Sequence, residues 1–140
     1  MPAAEPLCHL MEINLDHLTK EEGILLEAEL FSVICKEWKE IFREQHRNYF
    51  YLMNWTIEKE ETMLEANFLR LVIKDILSTE EYTLSGVAHY TDTHEDVLCD
   101  IIDGRNTNPS ATLLWRIIDL HRSVRRDIYK MIMKKIAIKL

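Results

Sequence analysis

The side chains best suited to chemistry in this chain of 140 residues are its six histidines, three cysteines and 24 carboxylates. His89 and His94, together with Glu95 or Cys99, could be drawn as a metal site. Their spacing matches no zinc-ligand pattern, and a predicted turn separates the two histidines. The sequence contains no phosphate-binding loop, no GxSxG motif and no Cys–His context for a nucleophile. It therefore predicts no metal, no cofactor and no enzymatic activity.

Composition favours long helices around a real core. Apolar residues make up 47% of the chain, and neither Gly nor Pro occurs between Gly23 and Gly86. No apolar run approaches the roughly 20 residues that span a bilayer, and the N-terminal sequence does not resemble a signal peptide. The three cysteines form no CxxC pair, which is typical of reduced thiols. We therefore expect an all-α, cytoplasmic protein that does not contact a membrane.

The charge of the chain is unevenly distributed. The net value is −7, but residues 1–104 carry 22 acidic and 8 basic side chains, whereas residues 105–140 carry 2 acidic and 9 basic ones. Such asymmetry can indicate a surface for nucleic acid or for an acidic partner. It can equally indicate that the two regions attract each other, within one chain or between chains. Charge alone leaves both interpretations open.

The first half predicts a long-helix hairpin that follows a flexible arm, residues 1–18. Thr19 and Glu22 have the spacing of a capping box. An apolar seam with alternating steps of four and three residues follows and predicts helices at roughly 20–47 and 56–78. Its positions are Ile24, Ala28, Phe31, Cys35, Trp38 and Phe42, continuing through Gln45, Tyr49 and Leu52. The joint between the helices contains NYFYLMNW, whose aromatics could form a ligand cage, an interface or, more ordinarily, the packed corner of the hairpin.

This seam is longer than one short helix can cover, so we expect a homodimer. Residues 19–62 would form the dimerisation or partner-binding segment. A second apolar surface lies on the last predicted helix, around Ile128, Ile132, Ile136 and Leu140. The residues we expect at the dimer interface are Phe31, Trp38, Phe42, Tyr49, Ile128 and Ile132.

The second half predicts short helices with recognisable ends. Thr83 is the expected N-cap of a helix over LSGVAHY, and residues 91–93 form a turn. A helix over HEDVLCDII follows, and Gly104 ends it. Ser110 is the expected N-cap of the next helix, and Ser123 that of the last one.

The segment TLSGVAHYTDTHEDVLCDIIDGRNTNPSATLLWRIIDLH resembles the XRE (Cro/lambda-repressor-like) DNA-binding domain of bacterial transcription regulators. The resemblance lies in the opening Thr83, the small Ala88, the turn at Asp92 twelve residues before Gly104, and NPS followed by an amphipathic helix. It implies a five-helix, lambda-repressor-like helix-turn-helix domain, here residues 63–140. It also implies binding to double-stranded operator DNA and a homodimer.

The resemblance implies DNA contacts by residues of the motif and the loop that follows it: Thr83, Thr93, His94, Glu95, Arg105, Asn106, Asn108 and Arg116. The chain departs from the family pattern at Asp92, where the family prefers Gly. It departs further in the predicted recognition helix, which carries Glu95, Asp96, Asp100 and Asp103. Acidic side chains can accept from cytosine N4 but are repelled by phosphates. A helical adaptor that has lost DNA binding is therefore the alternative function.

Overall fold

The protein is all-α in the part of the chain that the structure, a computed structural model, describes. These are residues 19–139, without the side chains of Ile24, Glu27 and residues 136–139. The helices are α1 (Lys20–Gln45), α2 (Arg47–Leu52), α3 (Ile57–Ser78), α4 (Leu84–Tyr90), α5 (Glu95–Ile102), α6 (Ala111–Val124) and α7 (Arg126–Lys139). The expected arm at residues 1–18 and the seam positions Ile24, Ile136 and Leu140 lie outside what is described. None of these helices is long and apolar enough to cross a membrane.

Local capping explains where several of these helices begin. The Thr19 hydroxyl accepts from the Glu22 amide at 3.2 Å, and the Glu22 carboxylate accepts from the Thr19 amide at 3.4 Å. This is the predicted capping box of α1. The Thr56 hydroxyl accepts from the Lys59 amide at 3.3 Å at the start of α3, where Glu58 and Glu60 also favour the helix dipole. The two long helices are therefore confirmed to within a few residues at their ends.

The chain divides into two compact units. The central unit spans Ile41–Val124, and the terminal unit combines the residues up to Glu40 with those from Arg125 onwards. This division differs from the boundary expected at residue 63 and from the assignment of the last helix to the helix-turn-helix domain, which both stay predictions. The first part of α1 and α7 belong to one unit. Only the last residues of α1, from Ile41 onwards, therefore belong to the same unit as α3. There Phe42 packs edge-on against Phe68 at 6.2 Å between ring centroids.

The core of the central unit is built by α3, which contacts α5 and α6, while α4 contacts α5 and α6 in turn. Each helix buries one apolar face, and a fully buried Leu or Ile stabilises a fold by about 1.5–3 kcal/mol. The buried apolar side chains of these helices are Leu64, Phe68, Leu69, Val72, Ile73, Ile76, Val87, Ala88, Leu98, Ile101, Leu113, Ile117, Ile118 and Leu120.

One polar pair lies within this apolar core. His121 on α6 is fully buried, and its Nε2 lies 2.7 Å from a carboxylate oxygen of Asp75 on α3. Burying an imidazole and a carboxylate is costly unless each has a hydrogen-bond partner. The pair therefore fixes the alignment of α3 and α6 by a directional contact as well as by apolar packing.

The terminal unit packs α7 against the first part of α1. Trp38 and Tyr129 are both buried, with ring centroids 5.5 Å apart, and Ile34, Ile132 and Met133 are buried in the same unit. Lys135 of α7 lies 3.9 Å from Glu37 of α1. A basic helix and an acidic helix segment therefore belong to one body.

One of the predicted N-caps is wrong. The Ser123 hydroxyl donates to the Leu120 carbonyl at 2.7 Å, within the last turn of α6. Ser123 is therefore not the N-cap of the last helix, which begins three residues later at Arg126. The error arose because a serine hydroxyl can bond to a carbonyl of the preceding turn as readily as it can cap the next helix.

Candidate nucleic-acid interface

The turn between α4 and α5 is held by backbone and hydroxyl hydrogen bonds. Thr83 caps α4, its hydroxyl accepting from the Gly86 amide at 3.1 Å. The buried Thr91 hydroxyl donates to the Val87 carbonyl at 2.8 Å, and the Thr93 amide donates to the Ala88 carbonyl at 3.0 Å. Asp92 adopts the left-handed conformation, with φ of 51°. The predicted cap and the predicted turn are therefore both present.

The helix that would read DNA, α5, begins with a side-chain link to α4. The Ser85 hydroxyl donates to a Glu95 carboxylate oxygen at 3.0 Å. Glu95 and Asp96 lie in the first turn, where the helix dipole favours carboxylates, and His94 occupies the N-cap position without a capping hydrogen bond from its side chain. His94, Glu95 and Asp96 are all exposed. The outer surface at the start of α5 is therefore accessible and acidic.

The loop after α5 is folded onto the end of that helix. Gly104 has φ of 78°, the left-handed conformation that ends helices. The amides of Arg105 and Asn106 both donate to the Asp100 carbonyl, at 2.8 and 3.0 Å. The Asn106 side-chain oxygen accepts from the Asn108 amide at 3.1 Å, and the Ser110 hydroxyl accepts from the Leu113 amide at 3.2 Å. The predicted Ser110 cap is thus confirmed, and the Asn106 side chain is engaged within the loop.

Arg105, the cation closest in sequence to α5, is already paired with carboxylates. Its guanidinium lies 2.6 Å from an Asp103 oxygen and 3.5 Å from an Asp100 oxygen. The hydrogen bond to Asp103 and the charge of Asp100 raise the pKa of Arg105 further above its usual value. The side chain remains largely exposed, so the guanidinium could exchange these partners for a phosphate. Such an exchange would gain less than the contact of an unpaired arginine.

Arg116 and Thr93 also use their side chains to hold the turn. The Arg116 guanidinium on α6 donates to the Thr91 carbonyl at 3.0 Å. The Thr93 hydroxyl donates to the same carbonyl oxygen, also at 3.0 Å. One carbonyl at the end of α4 therefore receives two donors from residues that were expected to contact DNA.

All eight residues predicted to bind DNA lie in the central unit, between the start of α4 and α6. Six of them use their side chains in hydrogen bonds within the chain: Thr83, Thr93, Glu95, Arg105, Asn106 and Arg116. The side chains of the other two, His94 and Asn108, are exposed. A shallow groove at the turn is lined by Ala88, His89, Asp92, Thr93, His94 and Glu95. In the described part of the chain, no group of three His, Cys, Asp or Glu could hold a metal ion.

The residues expected at the dimer interface are largely covered by their own chain. Trp38, Phe42 and Ile132 are buried, with Trp38 only 1% exposed. Phe31 and Ile128 are half-buried, and Tyr49 alone among the six is exposed. The seam is therefore filled within one chain, by Tyr129 over Trp38 and by Phe68 beside Phe42. This corrects the expectation that the seam is a free surface.

Two features were missed by reasoning from the sequence. The His121–Asp75 pair joins residues 46 positions apart, and no local pattern indicates such a pairing. Large apolar side chains are exposed at the joint of α2 and α3, where packing of the corner was expected. Part of that joint is indeed packed, because Phe50 stacks on Trp55 at 5.6 Å between ring centroids. The aromatic residues of NYFYLMNW indicated that this segment is important for packing or binding. The sequence did not show which of its residues would be buried and which exposed.

No family model, no curated protein and no solved structure matches the chain. The resemblance to the XRE domain therefore rests on the residues of the motif alone.

Proposed function

We propose that the protein is a DNA-binding transcriptional regulator of the XRE type that acts as a homodimer in the cytoplasm. The observation that carries this proposal is the α4–turn–α5 unit. Its first helix is capped by Thr83, its turn is closed by a left-handed Asp92, and its second helix leaves an exposed outer surface. A helix presented in this way can enter a major groove, where base edges can be read.

Base readout and affinity would come from different residues. Glu95 and Asp96 on the exposed first turn of α5 can accept from cytosine N4 groups but oppose approach to phosphates. Phosphate contacts therefore depend on Arg105 and on the exposed side chains of the loop around Asn108. Because Arg105 must leave Asp100 and Asp103 to bind a phosphate, non-specific affinity should be weak at physiological salt.

A second candidate is a protein-interaction module on the same scaffold. It is favoured by the neutralisation of Arg105 beside an acidic α5. The basic residues of α7 belong to the terminal unit. An α5 surface of this kind would suit a basic protein surface better than DNA.

The two candidates are separated by selecting a DNA site with the full-length protein and titrating it against selected and random duplexes at several salt concentrations. Arg105→Ala should weaken binding to both duplexes and flatten the salt slope by about one unit, since each phosphate contact contributes roughly 0.9. Glu95→Gln should raise affinity for random DNA because it removes a repulsive charge while keeping an acceptor for Ser85. Asp127→Asn, an exposed charge change on α7, is the matched control and should do neither.

If the wild-type protein binds no duplex even at low salt, DNA binding is wrong and the protein-interaction module replaces it. If the protein binds DNA and neither variant at α5 or its loop alters binding, DNA is contacted by another surface. Both outcomes are read without reference to the oligomeric state.

A further inference from the structure

The surface where α2 meets α3 combines exposed apolar side chains with an excess of carboxylates. Five of the eight large hydrophobic residues exposed in the described chain lie within residues 49–57: Tyr49, Tyr51, Leu52, Met53 and Ile57. Tyr51 is 84% exposed, Leu52 80% and Ile57 70%. Single exposed apolar residues are ordinary, but a group of this kind in one short segment is typical of an interaction surface.

The corner that presents these side chains is fixed from beneath. Phe50 is buried and stacks on Trp55, while Tyr49 meets Trp55 edge-on at 5.5 Å between ring centroids. The Trp55 amide donates to the Phe50 carbonyl at 3.2 Å. Because the corner is already ordered, docking of a partner on it would cost little conformational entropy.

A groove follows this corner along the first half of α3. It has a volume of about 500 Å³ and is lined by Trp55, Glu58, Lys59, Thr62, Met63 and Ala66. Trp55 belongs to both features, since it lines the groove and supports the corner. Corner and groove therefore form one surface, which we name the corner surface (residues 49–66).

The corner surface is acidic. Its residues include four glutamates, at positions 58, 60, 61 and 65, against one cation, Lys59. Steps of three and four residues place Glu58, Glu61 and Glu65 in one stripe along α3. Glu58 also lines the groove, so this stripe forms one of the edges of the groove.

The neighbouring arginine reduces this negative charge without cancelling it. The Arg43 guanidinium of α1 lies 3.5 Å from a Glu60 oxygen and 3.7 Å from a Glu61 oxygen. One cation is thus shared by two carboxylates. With Lys59 included, two cations face four carboxylates, and the exposed apolar group lies beside a surplus of negative charge.

This charge decides which occupant fits the corner surface. A second copy would bring the same carboxylates, since a twofold axis places a patch opposite itself. Residues 1–18 of the chain carry three carboxylates and neither Lys nor Arg, so they too would be repelled. An anionic lipid surface would be repelled for the same reason. An apolar partner face bordered by Lys or Arg matches both the apolar and the acidic side chains.

We propose that the corner surface binds a cationic amphipathic helix of another protein. The groove follows α3 from residue 58 to residue 66, which is about 12 Å of helix and roughly two turns of a partner helix laid along it. Apolar side chains of the partner would cover Leu52 and the groove, and its cations would face the stripe of glutamates. This interaction is separate from DNA binding and does not depend on the homodimer.

The test titrates full-length protein with a labelled peptide of about 18 residues, made of leucine and lysine with leucine at steps of three and four. Fluorescence anisotropy measures the dissociation constant. The peptide should bind, whereas a scrambled peptide without an apolar face and a version with glutamate in place of lysine should bind at least tenfold more weakly. Trp55 is half-buried in the groove, so binding should shift tryptophan emission, and Trp55→Phe should remove that shift.

Apolar variants test whether the exposed corner is the contact. Leu52→Ser should raise the dissociation constant of the leucine–lysine peptide by roughly tenfold. Leu25→Ser is the matched control, because Leu25 is a leucine of similar exposure on α1, and it should leave binding unchanged. Circular dichroism reports whether each variant is folded, and Tyr51→Ser replaces Leu52→Ser if the latter is not.

Charge variants test whether the attraction is local. Glu58→Lys should weaken peptide binding by roughly fivefold at physiological salt. Glu81→Lys changes the net charge equally but lies beyond the other end of α3, roughly 30 Å of helix away. That distance exceeds the screening length of about 8 Å, so Glu81→Lys should change binding little.

Each other result overturns the proposal in a distinct way. A protein that binds no leucine–lysine peptide has no such site, and equal effects of Glu58→Lys and Glu81→Lys would mean attraction to the whole acidic chain. Tighter binding of a peptide with the sequence of residues 1–18 would make the chain's own segment the occupant. A dimer that Leu52→Ser dissociates would make it a second copy, and binding to phosphatidylcholine vesicles that Leu52→Ser abolishes would make it a membrane. DNA binding is decided by its own titration.

Discussion

The terminal and central units use their charged side chains in different ways. In the terminal unit a basic helix and an acidic helix segment belong to one body, and Lys135 of the basic helix lies 3.9 Å from Glu37 of the acidic segment. In the central unit some polar contacts are short and directional, such as those of Arg105 to Asp103 and of His121 to Asp75. The charge of a segment therefore does not tell how much of it remains available to a partner. Whether a charged side chain can bind a partner depends on which carboxylates and carbonyls the fold places within hydrogen-bonding distance of it.

The largest effect that would test this comparison is expected from Trp38→Ala. Removing a buried indole that packs on Tyr129 leaves a cavity and should destabilise the terminal unit by about 3–5 kcal/mol. Hydrogen exchange should show loss of protection in α7 and the first part of α1, with α3 and α6 still protected. If protection falls equally in both units, they unfold as one cooperative body and the comparison fails.

His121→Leu addresses the directional contact of the central unit. The substitution leaves the Asp75 carboxylate without its partner on α6 and should lower the free energy of unfolding by about 3 kcal/mol. The double variant His121→Leu/Asp75→Leu should recover part of this loss, because neither member of the pair then stays behind without the other. Denaturant unfolding measures both. A double variant no more stable than the single one would show that the pair is not the source of the effect.

Ala88→Leu is expected to have the smallest of the three effects. Ala88 is buried at the end of α4, and its carbonyl accepts from Thr93 in the turn. A larger side chain should overpack this site and lower stability by about 1–3 kcal/mol. Ala111→Leu, at an exposed position of α6, is the control and should change little. Equal melting temperatures for the two variants would show that the site of Ala88 is not tightly packed.

Local features of the fold were predictable because they depend on neighbouring residues. Thr19, Thr83 and Ser110 cap helices by accepting from amides three positions away. Asp92 and Gly104 take the left-handed conformations that their turns require. The absence of Gly and Pro across residues 24–85 correctly indicated long helices. These signals predict where the helices begin and end but not which helices pack against each other.

What could not be predicted was which surfaces meet. The seam containing Trp38 and Phe42 has the same spacing whether another chain or the same chain covers it. Burial by Tyr129 and Phe68 depends on contacts between residues far apart in sequence. The candidate site was limited in the same way, since Arg116 gave no sign that it would donate to the Thr91 carbonyl. Assigning α7 to the terminal unit likewise required knowledge of long-range packing.

Burial has a further chemical consequence at Cys35. The thiol is held within α1, and desolvation raises its pKa to about 11, an effect that the nearby charge of Lys39 partly opposes. Only the thiolate attacks disulfides and electrophiles. Cys35 is therefore a weak nucleophile at neutral pH while the helix is folded.

Three turns of the central unit contain residues whose substitution should increase stability. Asn54, Glu80 and Asp92 adopt left-handed conformations without being glycine, and a left-handed backbone costs an L-amino acid roughly 1–2 kcal/mol. Replacement by glycine removes that strain while giving the denatured chain more freedom. Glu80, which lacks the short side chain that lets Asn and Asp tolerate this conformation, has the most to gain. Glycine substitutions in the loops that join these helices should therefore raise the thermal stability of the protein above that of the natural sequence.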